Sequence, residues 1–245
     1  MNVSKSKQEQ TRRQILRAAV ELISEYGYDA TTMKQIARMA EIGDATIYKY
    51  FSTKEKLLSG YYELCVTLAI RLALETPNFD EYNLQERLQR LMDALLELLL
   101  ADREFVALSR NIIGKSPILI MGDQLPGKEI LKTQVLDFLS KAEATGEIVQ
   151  CDFKNMLAGL FGDYVFTVIS YWLKDESDEF SDTTQLIDLT LGMLVLCLKS
   201  GIVNKLTELV SFLVRNQLSR IMQNGSGLLG LLKLAQSEMK AHKKS

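Results

Sequence analysis

Apolar residues recur along this chain with the period of an α-helix. Near the start, they follow one another at spacings of three and four residues, which places them on one face of a helix. This stripe consists of Ile15, Ala18, Ala19, Leu22 and Ile23. Similar spacing returns over residues 84–99 and 206–221. We find no convincing strand alternation, so the pattern predicts an all-α protein whose stripes face a core.

Capping boxes predict where some of the helices begin. In each box, a Thr, Ser or Asn precedes a Gln or Glu by three residues; the pairs are Thr32 with Gln35, Ser52 with Glu55, and Asn83 with Glu86. The predicted helices span residues 8–26, 33–40, 44–51, 53–75, 84–101, 103–113, 127–145, 153–173, 183–199, 202–223 and 228–241. The second and third are very short, which predicts a small domain over residues 1–52 and a larger one over residues 53–245.

The segment 31–51 has the pattern of a helix-turn-helix. Ile36 and Ala37 would point inward from the first short helix, Ile42 would pack under the turn, and Ile47 and Phe51 would anchor the second helix. The second helix would then expose short polar and aromatic side chains, namely Asp44, Ala45, Thr46, Tyr48, Lys49 and Tyr50. Hydroxyl and ammonium groups suit phosphates, and small side chains permit close approach to base edges.

Charge is distributed unevenly along the chain. The net charge of −2 taken alone disfavours a nucleic-acid partner. However, residues 1–60 hold 10 Lys and Arg against 7 Asp and Glu, whereas the remainder holds 19 against 24. Two interpretations of the basic start stay open, a flexible arm that tracks the DNA backbone or a solvated leading segment; its basic residues are Lys5, Lys7, Arg12, Arg13 and Arg17.

Composition argues against an enzyme and against a metal site. His242 is the only histidine and lies in a Lys-rich tail, so neither a Ser-His-Asp triad nor a His-based zinc site can be assembled. Cys65, Cys151 and Cys197 are far apart and lack CxxC spacing, which predicts reduced thiols. The longest uncharged apolar stretches are about half of a membrane span. We expect a cytoplasmic protein without catalytic residues, metal, cofactor or membrane partner.

The N-terminal pattern resembles the TetR-type (TetR/AcrR) family of bacterial transcriptional regulators. The matching positions are Ile15, Leu16, Ala18, Ala19, Leu22, Ile23, Gly27, Tyr28, Thr31, Thr32, Ile36, Ala37, Ala40, Thr46, Ile47, Tyr48, Tyr50, Phe51, Lys54, Glu55 and Leu57. The resemblance implies an N-terminal three-helix DNA-binding domain and a C-terminal helical domain for effector binding and dimerisation. It also implies a nucleoid-associated homodimer that binds double-stranded operator DNA and releases it when a small molecule binds.

The candidate DNA-contacting residues are Thr32, Lys34, Asp44, Ala45, Thr46, Tyr48, Lys49, Tyr50 and Lys54. Of these, the resemblance implies phosphate contacts chiefly for Thr32, Thr46, Tyr48, Tyr50 and Lys54. Lys54 lies in the first turn of a helix, where the macrodipole disfavours a cation unless a phosphate binds there too. A solvated lysine is the alternative.

The turn departs from the family pattern at three positions within four residues. Glu41 replaces a residue often needed for positive φ, which costs on the order of 1 kcal/mol if that geometry persists. Gly43 replaces a Ser that would cap the recognition helix. Asp44 stands where a basic residue is common; it either caps the helix, which we favour, or accepts a hydrogen bond from a cytosine N4 amine.

Two helices of the body are apolar over most of their circumference. These are residues 153–173 and 183–199, where Gly159, Gly162 and Gly192 permit close helix approach. They predict a four-helix dimer interface, with an ordinary monomer core as the alternative. The candidate effector-pocket residues, each of which could instead be ordinary packing, are Phe105, Asn111, Met121, Tyr164, Thr167, Tyr171 and Trp172.

These observations predict a ligand-responsive repressor that binds a pseudo-palindromic operator as a dimer and is released by a small, apolar effector. The alternative is a DNA-tethered protein-interaction factor without a small-molecule effector. Residues 202–245 keep that alternative open, because this segment is longer than many members of the family carry. It could extend the dimer interface, pack over the body or, through residues 227–244, touch a membrane surface.

Overall fold

The computed structural model describes residues 2–113 and 127–223, which form α-helices joined by turns and short loops and contain no β-strand. The all-α prediction is confirmed. The helices are α1 (Asn2–Tyr26), α2 (Met33–Met39), α3 (Asp44–Tyr50), α4 (Lys54–Leu74), α5 (Leu84–Leu100), α6 (Arg103–Ile113), α7 (Lys128–Ala144), α8 (Lys154–Trp172), α9 (Ser181–Ser200) and α10 (Ile202–Gln223). Short 3-10 turns cover Phe79–Glu81 and Asp178–Phe180.

Most predicted helix boundaries agree with the structure within two residues. The exception is α1, which begins at Asn2 and not at residue 8. The predicted helix over residues 228–241 lies outside the described residues. The capping boxes of α2 and α5 are both present.

The third predicted capping box, from Ser52 to Glu55, is wrong. α4 begins one residue later, because Thr53 is its N-cap and its hydroxyl accepts a hydrogen bond from the Lys56 amide at 3.3 Å. The Glu55 carboxylate instead accepts from the Tyr28 hydroxyl at 3.1 Å. A side chain predicted to cap α4 therefore connects α4 to the loop between α1 and α2.

The N-terminal core forms where α2, α3 and α4 close over α1. Ile15 and Ile23 are completely buried, as the stripe on α1 predicts. Ile36 and Ala37 of α2 and Ile47 of α3 are equally buried. The small side chain of Ala37 lets α2 and α3 pack closely, so the two short helices form a unit on α1.

α4 links the N-terminal helices to the body. Its first turns bury Leu57 and Leu58, while its last turns bury Ala69 and Ala73. The packing of α4 on α5 and of α7 on α8 forms most of the body core. Because α4 belongs to both cores, a displacement of its far end must act on the N-terminal helices. The division into domains after residue 52 stays a prediction.

Within residues 2–113 and 127–223, two helical segments have the length and composition of a membrane span. One is α4, whose apolar window is 56% buried, and the other is Asp178–Ser200, whose window is 28% buried. Core helices pass the same test, so this is weak evidence for a membrane. The second segment has low burial because the outer face of α9 exposes Leu189, Met193 and Leu196.

The apolar stripe predicted over residues 206–221 does not face a core. Leu206, Leu209, Val210 and Leu213 are each more than half exposed. The side chains of residues 216–223, which include the rest of the stripe, lie outside the described set. The helical periodicity is correct here, but the expectation that it faces the core is wrong.

Candidate nucleic-acid interface

The turn between α2 and α3 is closed by backbone hydrogen bonds. The Ile42 amide donates to the Ala37 carbonyl at 3.0 Å, and the Glu41 amide donates to the Arg38 carbonyl at 3.1 Å. This pair of bonds forms a Schellman motif, whose residue after the helix adopts positive φ. That residue is Glu41, with φ of 54°. The turn therefore keeps positive φ at Glu41 despite its side chain.

α3 presents a mixed polar and aromatic surface. Ile47 is completely buried and anchors the helix, whereas Tyr48 is 51% exposed. The remaining candidates divide between exposed residues (Asp44, Ala45 and Lys49) and half-buried ones (Thr46 and Tyr50). The structure therefore brings these residues together around one short exposed helix.

Asp44 does not cap α3, so the capping prediction is wrong. The N-cap is Gly43, and no side chain caps this helix end. Asp44 lies one residue further on, in the first helical turn, where its charge is favourable to the macrodipole. Its carboxylate is exposed, which leaves the second interpretation, acceptance from a cytosine amine, as the remaining prediction.

At the start of α2, Thr32 has a structural task of its own. Its hydroxyl accepts from the Gln35 amide at 3.3 Å and donates to the Gln35 side chain at 2.8 Å. Thr32 and the neighbouring Lys34 are both exposed. Thr32 thus sets the beginning of α2 on the surface that carries α3.

Lys54 joins the start of α4 to the loop before α2. Its ammonium donates to the carbonyl oxygens of Tyr28 at 2.6 Å and of Thr31 at 2.9 Å, and it lies 4.2 Å from the centre of the Tyr28 ring. Two of its three N–H groups are therefore already used within the protein. The phosphate contact stays a prediction, while the geometry shows a positioning contact.

Tyr28 makes a second bond to α4 through Glu55. Burial, reinforced by the nearby carboxylate, raises the pKa of the Tyr28 phenol well above its usual value, so the hydroxyl stays protonated and donates. Hydrogen bonds, first from Thr53, lower the pKa of Glu55. We call Tyr28, Lys54 and Glu55 the α4 clamp.

A further junction lies around Phe51, where α3 ends. A Cβ atom placed on Gly60 would lie 2.5 Å from the Phe51 ring, so only glycine permits this approach of α4. The Arg12 guanidinium stacks 5.3 Å from the centre of that ring and pairs with Glu63 at 3.1 Å. The sequence does not predict this junction, because Arg12, Phe51, Gly60 and Glu63 come from distant parts of the chain. The one sign of it in the sequence is a glycine, Gly60, inside a helix.

The basic start of the chain is not a flexible arm. Residues 2–26 form one continuous helix, in which Arg12 pairs with Glu63 and Arg13 pairs with Glu9 at 3.1 Å. Arg17 is exposed on the same helix, and the side chain of Lys5 lies outside the described set. The partners of Arg12 and Arg13 reduce the charge available to a phosphate backbone.

The candidate effector residues do not form one cavity. Phe105 is buried against the Tyr61 ring at 4.7 Å, and Trp172 is buried beneath the Arg103 guanidinium at 5.4 Å. Thr167 and Tyr171 are exposed, and the Tyr164 hydroxyl bonds to Thr190 across α8 and α9 at 2.7 Å. The side chains of Asn111 and Met121 lie outside the described residues.

We therefore remove Thr167 and Tyr171 from the predicted pocket, because they lie on the outer surface of α8. Among the described residues, one groove of about 360 Å³ includes Trp172, together with Leu96, Leu100, Phe180 and Thr183. A second groove of the same volume lies between α4 and α7. It is lined by Thr67, Ile70, Ile130, Thr133 and Gln134. This groove is mainly apolar and borders the helix that carries the α4 clamp.

The described residues contain no group of three or more His, Cys, Asp or Glu side chains that could hold a metal ion. Cys65 and Cys151 are buried and Cys197 is half-buried, each as a free thiol. Burial raises the pKa of the Cys65 thiol to about 12, which makes it unreactive at neutral pH.

Models of known protein families match both the N-terminal and the C-terminal part of the chain. Residues 15–60 match the family model for bacterial regulatory proteins of the tetR family. Residues 87–213 match the model for the tetracyclin repressor-like C-terminal domain, which spans more than half of the chain. The match to the first model ends inside α4, the helix shared by both cores.

Individual proteins are also similar to this chain over most of its length. The fatty acid metabolism regulator protein of Bacillus subtilis is 29% identical over 198 residues, which cover 78% of this chain and 95% of that protein. A TetR-family regulator structure from Syntrophomonas wolfei covers 77% of this chain and 96% of its own, with a TM-score of 0.63 and 17% identity.

FadR from Bacillus subtilis, solved in complex with stearoyl-CoA, covers 73% of this chain and 96% of its own, with a TM-score of 0.56 and 22% identity. At these identities, the solved structures establish a common fold. Together with the two family models, they show that this chain belongs to the TetR family of bacterial regulatory proteins.

Proposed function

We propose that this protein is a dimeric repressor that binds a pseudo-palindromic operator through α3 and is released by a long-chain fatty acyl thioester. The observation that carries the DNA-binding part is the exposed surface of α3 around the buried anchor Ile47. Recognition helices of this kind enter the major groove, and a dimer places two of them about 34–36 Å apart.

The side chains on this surface divide by chemistry. Lys34 and Lys49 offer ammonium groups to phosphates, and Thr46, Tyr48 and Tyr50 offer hydroxyl groups. Ala45 permits close approach to a base edge, and Asp44 accepts from a cytosine N4 amine. Thr32 and Lys54 act mainly by holding α2 and α4 in the geometry that presents these groups.

The dimer forms through an exposed apolar surface that we call the α8–α9 face. It is defined by Met156, Leu160, Thr167 and Tyr171 of α8 with Leu189, Met193 and Leu196 of α9. Met193 is 68% exposed and Leu196 is 67% exposed. Contiguous apolar patches of this kind mark interaction sites in soluble proteins.

Gly159 supports the same proposal. A Cβ atom on Gly159 would meet nothing within 4 Å, so packing inside the subunit does not explain this glycine. A glycine inside a helix costs about 0.5–1 kcal/mol relative to alanine. Close approach of a second copy against α8 accounts for it. Gly162 differs, because the Lys128 side chain crosses it, with the nearest atom 2.6 Å from the position of a Cβ.

The effector class is supported by the relatives and by the α4–α7 groove. One relative regulates fatty acid metabolism, and a fold neighbour binds stearoyl-CoA. The groove in this chain is mainly apolar, as an acyl chain requires, and it borders α4.

An acyl chain that binds better to one position of α4 shifts the population toward that position. The α4 clamp and the Phe51–Gly60 contact connect α4 to the helices that bind DNA. A shift of α4 therefore changes the separation of the two α3 helices in a dimer.

The experiment is a fluorescence-polarisation titration of its own promoter region, followed by addition of stearoyl-CoA, shorter acyl-CoAs and free CoA. We expect salt-dependent binding and release by the long acyl thioester but not by free CoA. Absence of salt-dependent binding would refute the operator assignment. Release by none of the thioesters would refute the effector class.

The second candidate is a DNA-tethered factor whose body binds another protein. The exposed apolar residues of α10 favour it, since they offer a surface to a macromolecule. The same titration separates the two, because this candidate predicts operator binding that no acyl thioester changes.

A further inference from the structure

α10 leaves an unusually large apolar surface exposed in the single chain. Seven of its side chains are about half exposed or more, from 49% at Ile202 to 57% at Leu206. The set is Ile202, Leu206, Leu209, Val210, Phe212, Leu213 and Val214. At 3.6 residues per turn, they cover roughly half of the helix circumference. Most of the stability of helices in proteins comes from packing of their apolar face, so the stripe needs a covering surface.

The subunit itself holds α10 near its start. Val203 packs against the core, and the Asn204 side-chain amide donates to the Gln150 carbonyl at 2.6 Å. Val210 and Val214 lie on the same side of the helix as Val203, yet each is more than half exposed. α10 therefore leaves its own body after the first turn.

The spacing of the exposed residues is that of a helix–helix seam. Ile202, Leu206, Leu209 and Leu213 follow one another at four, three and four residues, which is the repeat of a coiled-coil contact. The stripe also follows the exposed apolar residues Leu189, Met193 and Leu196 of α9 after the turn at Gly201, and the two helices contact each other. An occupant that covers the stripe of α10 therefore lies near the exposed residues of α9.

Charge favours a protein occupant over a lipid surface. Amphipathic helices that lie on membranes carry polar faces rich in Lys and Arg. Among the described side chains of α10 the cations are Lys205, which pairs with Glu208 of the same helix at 3.0 Å, and Arg215, so this polar face is not rich in Lys and Arg. A second copy of the chain presents the matching apolar stripe.

We propose that α10 is a second dimerisation element, whose apolar stripe packs against α10 of another copy and extends the α8–α9 interface. The inference rests on the proposed dimer and adds an element to it. Relatives that are covered over 95–96% of their own length match only 73–78% of this chain, and the second family match ends at residue 213. The family match therefore ends inside α10.

The test is sedimentation velocity of the full chain over a dilution series. Leu206→Glu with Leu213→Glu is expected to raise the dimer dissociation constant at least tenfold. Ser211→Glu, which adds one carboxylate on the opposite side of α10, is expected to change it less than twofold. Far-UV circular dichroism checks that each variant is folded, and Leu209→Asn provides a milder change in the same direction.

A dissociation constant unchanged by the double variant and by Leu209→Asn would overturn the proposal, as would a wild-type protein that remains monomeric at all concentrations. So would wild-type flotation with phosphatidylglycerol vesicles accompanied by an unaltered dimer in the α10 variants. Met193→Glu on the α8–α9 face tests the α8–α9 interface separately from the α10 element. If it leaves the dimer intact while the α10 variants break it, the α8–α9 interface fails and the α10 element stands.

Discussion

α1 and α10 carry similar apolar stripes at opposite ends of the described chain, yet the stripes have opposite surroundings. Ile15 and Ile23 on α1 are completely buried, whereas Leu209 and Leu213 on α10 are 52% and 51% exposed. The difference arises because α2, α3 and α4 close over α1, while α10 turns away from its own body after Asn204. A helical stripe therefore defines a face that needs covering, but it does not identify what covers it.

The prediction with the largest expected effect tests whether the stripe of α1 is buried and that of α10 is exposed. Ile23→Ala should lower the free energy of unfolding by about 2–5 kcal/mol, because it leaves a cavity in a closed core. Leu209→Ala should change it by less than about 0.5 kcal/mol at concentrations where the protein is monomeric, since the side chain is already solvated. Urea denaturation followed by circular dichroism measures both. Equal losses would mean that α10 is packed within its own subunit.

Two helical glycines also differ in whether their surroundings are packed within the subunit: Gly60 faces the Phe51 ring, whereas Gly159 faces open space. Gly60→Ala should destabilise the protein by about 1–3 kcal/mol, because its Cβ would overlap the Phe51 ring. Gly159→Ala should instead stabilise the monomer by about 0.5–1 kcal/mol through helix propensity while weakening the dimer. Thermal denaturation and sedimentation velocity report the two quantities. A dimer strengthened by Gly159→Ala would argue against close approach at α8.

The α4 clamp gives a smaller effect. Lys54→Met should reduce stability by about 1–2 kcal/mol, because the Tyr28 and Thr31 carbonyls lose a charged donor. Lys34→Met, at an exposed position, is the matched control and should leave stability unchanged while lowering the salt dependence of operator binding. If Lys54→Met changed only that salt dependence, Lys54 would be a phosphate ligand and not a positioning residue.

The smallest effect concerns the turn before α3. Glu41→Gly should raise the free energy of unfolding by about 1 kcal/mol, because glycine adopts φ near 54° without steric cost. Differential scanning calorimetry would detect this as a higher melting temperature. A lower melting temperature would show that the Glu41 side chain stabilises the protein by more than its positive φ costs.

Much of the fold and part of the interface followed from local patterns. Helix periodicity, two capping boxes and the buried positions Ile36, Ala37 and Ile47 were predictable because each depends on neighbours three or four residues away. The contacts of Arg12 with Phe51 and Glu63 were not, since they join residues about 40–50 positions apart. Nor could the sequence show that Glu55 would bond to Tyr28, because its local capping role was equally reasonable.

By itself, the sequence determined an all-α chain, a helix-turn-helix near its start and the family resemblance. Only the tertiary structure decided that the basic start is part of α1, that Lys54 holds the loop before α2, and that Thr167 and Tyr171 face outward. It also decided that the stripe of α10 is exposed. The physical reason is that periodicity specifies which side chains share a face, whereas burial depends on which distant surface packs against that face.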